Sequence, residues 1–484
     1  MLGSQVQTHP KDGARASQGE KKGKARYFLV WRWHFYAGLF VIPFMLMLSV
    51  TGLVMLFDDE IEELRYGALI NIEPQSTQVA VSTQLEAVQK AYPSAVITQL
   101  IVTGSKEQAN RFNVRLENGK SLFVTVNPYD AEVLGEIDRS DSWYQLANEI
   151  HGTLLIGQWG DYLIEVSASL GILLLVSGIY LWIPRDSATK VGFLRIRTNS
   201  GTRTLIKDIH TNLGGTLSVI LLLFLLSGLA WAGVWGAKMV QGWNTFPTYY
   251  TWGDKPQSTQ LHKHLNHGSE EEMPWNLELA AVPESSGHHG GHQTENDLTQ
   301  YHSDDSISVD AIALKAEQLG LTQYRIYLPQ SETGVYTIAA NSMAGDVIDP
   351  RLDRTVHVDQ YSGQTLIDVT WDDYTVVAKL MAAGVSLHQG DLSPVNKWLN
   401  VFFCIAFIAI SVTGAWMWWI RRPVKQSRLG VPPRFELDGI WKVGLGSLLL
   451  VGVLFPLAGV TIIVAMLFDT LLIQKSQRLK AYMR

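Results

Sequence analysis

Four histidines occupy equivalent places in a chain that repeats itself. His34 lies 18 residues before Gly52 and His210 lies 18 before Gly228, while His151 lies 27 before Gly178 and His388 lies 26 before Gly414. Each glycine follows a hydroxyl residue inside an apolar run: Val50-Thr51-Gly52, Val176-Ser177-Gly178, Leu226-Ser227-Gly228 and Val412-Thr413-Gly414. A small residue beside glycine lets membrane helices approach closely. Neutral imidazole is a good ligand for iron, and an ionisable group near hydrocarbon usually has a partner or a task. The plainer alternative for any one of them is a histidine that bonds a backbone carbonyl at the membrane interface; recurrence at repeat-related positions favours ligation. Two imidazoles facing each other from neighbouring helices can ligate one planar cofactor. His34 with His210, and His151 with His388, are therefore the candidate axial ligands of two haems. No Cys-x-x-Cys-His occurs, so these would be b-type haems held without covalent attachment.

The elements that must carry these residues are membrane spans. The 484-residue chain is 47% hydrophobic with 16 tryptophans, and apolar runs of bilayer-crossing length lie near Phe35–Phe57, Tyr162–Ile183, Thr211–Trp235, Trp398–Ile420 and Val443–Ile473. The last contains Pro456, which predicts a kinked or partly interfacial helix. The first reads as a retained signal anchor. Seven Lys and Arg residues precede the first span, six lie between Arg185 and Lys207, and six between Arg421 and Lys442. These segments are expected on the cytoplasmic side, with the long loops outside. The basic tail Lys475–Arg484 conflicts with that count. Net charge −6 gives no reason to expect nucleic-acid binding. The single cysteine, Cys404, excludes an intramolecular disulfide and a Cys-ligated iron–sulfur cluster.

Span, outer loop and span then occur twice in the same orientation, which makes a parallel repeat. By this topology His34 and His210 share the cytoplasmic end, and His151 and His388 the outer end. The ends of the second and fourth spans match as well, Gly178 to Arg185 with Gly414 to Arg421. Each outer loop holds an amphipathic helical stretch (Ser82–Tyr92; Ser308–Leu319) and alternating strand-like runs. The runs are Arg111–Leu116 with Leu122–Val126, and Val335–Ala339 with Arg354–Val358. Each loop closes on a turn marked by a tyrosine, Tyr129 or Tyr361. The expected fold is a membrane α-helical bundle of four principal spans in two parallel repeats plus a C-terminal span, with two small α+β outer domains. Its segments are a tail (1–28), a span (29–57), an outer domain (58–148), a pre-helix and span (149–184), a loop (185–208) and a span (209–236). A second outer domain with a His-rich insertion (237–390), a span (391–420), a loop (421–440), a span (441–473) and a tail (474–484) follow.

Other residues are weighed alongside. Arg32 and Lys207 lie within a helix turn of the inner pair and could meet haem propionates, although positive-inside anchoring explains them as well. Trp182, Trp418 and Trp419 read as interfacial belt residues, and Glu165 as a helix-facing hydrogen-bonding group rather than a proton relay. His262, His264, His267, His288, His289, His292 and His302 form a second group, in part within a Gly, Ser and His-rich tract that either binds metal weakly or is a flexible insertion without a dedicated site. His357 is expected to be structural.

Trp33-His34 with Gly38 and Thr51-Gly52, His151 through Trp182, His210 with Gly214, and His388 through Arg421-Arg422 resemble the PepSY-associated transmembrane proteins of bacterial inner membranes, as does Gly452-x-x-Phe455-Pro456-Leu457. The resemblance covers about Trp31 to Asp469. It implies periplasmic PepSY modules, haem b on bundle histidines and a link to iron acquisition, with ferric-siderophore reductases among the members. The partners so implied are a ferric siderophore or other Fe(III) chelate, a separate quinol or flavoprotein as electron donor, and the bilayer. The His-rich insertion departs from the family pattern. A permease for iron chelate or small solute, and a non-enzymatic PepSY regulator, are the competing readings.

Overall fold

A computed structural model describes residues 10–185, 190–240, 257–267, 272–285, 305–422, 429–432, 441–468, 471–472 and 475–479. It divides into two units. One comprises Met1–Val50, His151–Lys238 and Phe402–Arg484, and the other Thr51–Ile150 and Met239–Val401.

The first unit is helical. Lys22–Leu56, Gln158–Trp182 and Pro394–Arg421, parts of which belong to it, are long and apolar enough to cross a membrane. Their sequences contain long runs of Leu, Ile, Val and Phe with few charges, so only a helix satisfies the backbone in an apolar surrounding. The third expected span is not one straight helix. Thr202–Thr216 and Ser218–Leu229 meet at Leu217 with a bend of 61°. Gly214-Gly215 just precedes the bend, and the Trp182 ring packs against Gly215 where any Cβ would collide with it. The fifth expected span is likewise two helices, Lys442–Leu454 and Pro456–Phe468, broken at Phe455. Pro456 supplies no N–H to the preceding turn, which ends the first helix there. Each of these 13-residue helices is about 20 Å long, short of the roughly 30 Å hydrocarbon core. The apolar core of this unit gathers Ala37, Val41, Leu173, Leu225, Leu229, Val451 and Phe455.

The second unit is built on one eight-stranded antiparallel sheet, in the order β10-β9-β8-β7-β1-β2-β3-β4. The strands are β1 Val96–Val102, β2 Asn110–Arg115, β3 Ser121–Val126, β4 Val133–Asp138, β7 Tyr324–Tyr327, β8 Val335–Ala340, β9 Arg354–Asp359 and β10 Thr365–Thr370; β5 Gln257–Leu261 and β6 Ala281–Pro283 pair separately. The two loops thus make two four-stranded halves rather than two free-standing domains. Strand β1 pairs with β7, Gln99 opposite Tyr327 and Ile101 opposite Arg325. One core runs through both halves, with Leu100, Phe112 and Val124 from the first beside Ile312, Ile326, Ile338 and Val356 from the second.

The duplication is visible in detail. Helices Val81–Ala91 and Val309–Gln318 lie at equivalent places. At the turn after the third strand of each half, the Asn127 or Asp359 side chain accepts from the N–H of Tyr129 or Tyr361, each at 3.0 Å. The two tyrosine hydroxyls donate to loop carbonyls, Tyr129 to Lys106 at 2.9 Å and Tyr361 to Glu332 at 2.8 Å. Residues at the same offset, Ala131 and Gly363, both take positive φ.

Candidate functional site

His34 sits on the first span and His210 on Thr202–Thr216, and the fold brings their rings to 6.3 Å between centres with planes at 83°. Each ring is seated on a glycine of another span. A Cβ at Gly178 would lie 3.2 Å from His34 Cε1, and one at Gly414 would lie 3.0 Å from His210 Cε1. The residue before each glycine addresses the same ring. Ser177 Oγ lies 3.0 Å from His34 Nδ1, and its own proton goes to the Leu173 carbonyl at 2.7 Å. A lone pair of Ser177 therefore faces the ring, and His34 Nδ1 is the donor. His210 Nδ1 meets the Ile410 carbonyl at 2.9 Å and Thr413 Oγ1 at 3.4 Å, and Thr413 donates its proton to Ala409 at 2.6 Å. A carbonyl only accepts, so His210 Nδ1 is also protonated. Both Nε2 atoms are then left with lone pairs and, among the described residues, with no hydrogen-bond partner. A hydrogen bond on one ring nitrogen that presents the other is how protein environments orient metal-binding histidines. The hydroxyl-glycine signature thus does more at Ser177-Gly178 and Thr413-Gly414 than allow close packing.

The ring-centre distance equals the one expected if both Nε2 atoms faced a single metal ion. With metal–nitrogen bonds of about 2.0–2.1 Å on each side and about 1.1 Å from nitrogen to ring centre, ring centres stand about 6.2–6.4 Å apart. Two imidazoles supply two coordination positions, and a planar tetradentate ring would supply the other four.

Local contacts fix the His210 helix. Asp208, 1% exposed, takes a bidentate bond from Arg197, Nε and Nη2 each at 2.7 Å. Asn212 donates to the Gly192 and Arg195 carbonyls and accepts from the Trp182 indole at 3.1 Å. Trp182 therefore braces this helix in addition to any belt role, and Trp418 donates to the Leu429 carbonyl at 2.8 Å. Arg32 is committed to the Pro432 carbonyl at 2.6 Å and Tyr36 at 3.1 Å, whereas Lys207 is exposed.

His151 and His388 belong to different units and are described separately. His151 lies near the end of the short helix Trp143–Thr153, which precedes its span. Leu154, Leu155 and Gly157 take positive φ between that helix and the span. His388 lies at the end of Val376–Gln389, which Thr375 caps and which Gly390 stops in a left-handed conformation at φ 92°. Asn400 Nδ2 donates to the His388 carbonyl at 3.0 Å. Both residues stand on pre-helices, as their repeat relation requires.

The second histidine group divides. His288, His289, His292 and His302 lie outside the described residues. His262, grouped with these histidines in the sequence, is fully buried with Nε2 at 2.9 Å from His357 Nε2. Its Nδ1 faces the Ala280 carbonyl at 2.8 Å and must donate, so in the neutral pair His357 Nε2 donates to His262 and its Nδ1 accepts from Thr337 at 2.9 Å. His267 bridges Thr98 Oγ1 and Glu272 Oε2, each at 2.8 Å. Glu272 is the hub of a buried cluster: Arg139 Nη2 donates at 2.8 Å, Gln99 Nε2 at 2.9 Å and Tyr327 Oη at 3.2 Å. Burial works to raise the Glu272 carboxyl, yet His267, Arg139 and Arg325 hold it well below the usual range. This cluster joins the two half-sheets and escaped sequence reasoning, since its members lie up to 173 residues from Glu272.

A family model described as PepSY-associated TM region matches residues 31–421. The chain belongs to that family. A PepSY-associated TM region is a membrane region, which agrees with the three long apolar helices and the bent fourth. A search of curated proteins gives no match.

Proposed function

We propose that this PepSY-associated membrane protein carries electrons through b-type haem to an Fe(III) chelate such as a ferric siderophore outside a bacterial inner membrane. The observation that carries this reading is the His34–His210 pair: two imidazoles 6.3 Å apart, each held through Nδ1 with Nε2 left for a metal. Haem bound there would supply a reversible one-electron centre. The chain's part is to fix both tautomers through Ser177, Ile410 and Thr413, to give the rings room at Gly178 and Gly414, and to surround the pair with apolar helices. Repeat symmetry alone proposes His151 and His388 for a second haem. The acceptor gains one electron, Fe(III) becoming Fe(II), and hard oxygen ligands hold the less charged ion more weakly. A separate quinol or flavoprotein gives up that electron.

Pyridine haemochrome analysis of the purified full chain tests the reading. It should give two haems per chain, with His34→Ala and His210→Ala each removing the same one, and His151→Ala and His388→Ala the other. A colourless chain after expression with ample haem overturns it and leaves the permease and regulator readings.

A further inference from the structure

We propose that Asp161, Glu165 and Ser169 form a proton-holding site inside the Gln158–Trp182 span. Their four-residue spacing places them on successive turns of one helix face. Glu165 is 1% exposed and Ser169 0%. The Asp161 carboxylate accepts from the Gly233 N–H at 3.0 and 3.1 Å, and Glu165 Oε2 from the Val234 N–H at 3.0 Å. Adjacent backbone N–H groups thus draw the two carboxylates together, and any Cβ at residue 233 would strike the Asp161 carboxylate.

These bonds use one oxygen of Glu165. Its Oε1 is buried and, among the described residues, has no hydrogen-bond partner. Ser169 Oγ, one turn on, is an independent second case: buried and without a partner. Ser177, Ser227 and Thr413 all give their protons to the carbonyl four residues back, so Ser169 breaks the habit of hydroxyls in these helices. The surroundings offer little countercharge. Ser218–Leu229 and Pro456–Phe468, which pack on this span, carry no titratable side chain, nor does the first span from Ala37 to Val50. Thr202–Thr216 brings Arg203, Lys207, Asp208 and His210, with Asp208 committed to Arg197. Lys442–Leu454 brings only Lys442, and Lys238, which is exposed, is the cation that acts on Glu165. Two ionised carboxylates so placed repel each other, and Glu165 is shut off from solvent. One proton on Glu165 Oε1 removes a charge from a buried orphan acceptor on the helix face that Ser169 shares. The ligand is a proton, and the site gives the helical unit a place to balance charge.

Infrared difference spectroscopy of the full-length protein in lipid, titrated through neutral pH, reads the site without reference to haem. A protonated carboxylic acid C=O stretch is expected at neutral pH, lost in Glu165→Gln, weakened in Asp161→Asn as its titration moves to lower pH, and shifted in Ser169→Ala. Absence of that band in wild type, or a band unchanged in Glu165→Gln, overturns the proposal; so does a band unmoved by Ser169→Ala. Absence of the band together with thermal stabilisation by sodium or potassium would replace the proton with a metal cation and equally overturn it. Should Glu165→Gln fail to fold, the Ser169→Ala and Asp161→Asn spectra still decide.

Discussion

Glu272→Ala is expected to cost the sheet-bearing unit about 3–5 kcal/mol, the usual penalty for leaving a buried ion-pair partner unmatched. Glu272 and Arg139 side chains are 3% and 6% exposed, and their 2.8 Å pair is one of several bonds meeting at this carboxylate. Its removal takes a bond from each of Arg139, Gln99, His267 and Tyr327 at one point, where β1 meets β7, although His267 keeps Thr98. Arg325 keeps Asp346 at 2.9 Å and would be less affected. Because β1–β7 is the seam between the half-sheets, the loss should open the seam before it melts either half. Hydrogen exchange of the full-length protein checks this: faster exchange at Gln99–Val102 and Tyr324–Tyr327, with β2–β3 and β8–β9 less changed. Uniform exchange across both halves, or none, would remove the cluster from this role. The folded Glu272 carboxyl lies below its ordinary value, so its contribution is complete at neutral pH and fades only as acid brings the pH down through the folded value.

Acidification from pH 6.5 to 4 is expected to withdraw from the same unit about 3 kcal/mol that neutral His262 contributes, with His357 adding to the loss. Burial pushes His262 down to about 4 from an ordinary 6.5, and His357 lower still by burial and by His262 itself. The unfolded chain binds protons across this range and the folded pair does not, so stability is full above about 6.5 and falls as pH drops toward 4. Asp353 acts in the opposite direction: burial lifts it to about 7, so its contribution is present in acid and lost as pH rises through that value. Protection of the Thr355–Val358 amides, corrected for intrinsic exchange at each pH, should therefore fall more on the acid side in wild type than in the double variant His262→Leu and His357→Leu, since Asp353 is common to both. A variant that keeps the full acid sensitivity would assign it elsewhere.

The candidate site was legible because its signals were local and repeated. Four spacings from histidine to glycine exposed the duplication, and the apolar runs located the spans. The β2–β3 and β8–β9 strands were legible from their alternation. Strand β1, Val-Ile-Thr-Gln-Leu-Ile-Val, was not, because six of its seven residues are buried and so it lacks a polar face. That strand carries the seam, so the fusion of two expected domains into one sheet went unread. The bend at Leu217 carries no proline, and its only trace was Gly214-Gly215. In the sequence the hydroxyl-glycine signature reads as helix packing, since only the fold shows that two of its four copies grip an imidazole.

Electron paramagnetic resonance of the oxidised full-length protein tests the inner site most directly. Low-spin ferric haem held by His34 and His210, whose ring planes stand at 83°, would give a strongly anisotropic signal. The His34–His210 site predicts such a signal with a large maximal g value, lost in His34→Ala and in His210→Ala alike. A signal that survives both substitutions, or no haem signal at all, would contradict it.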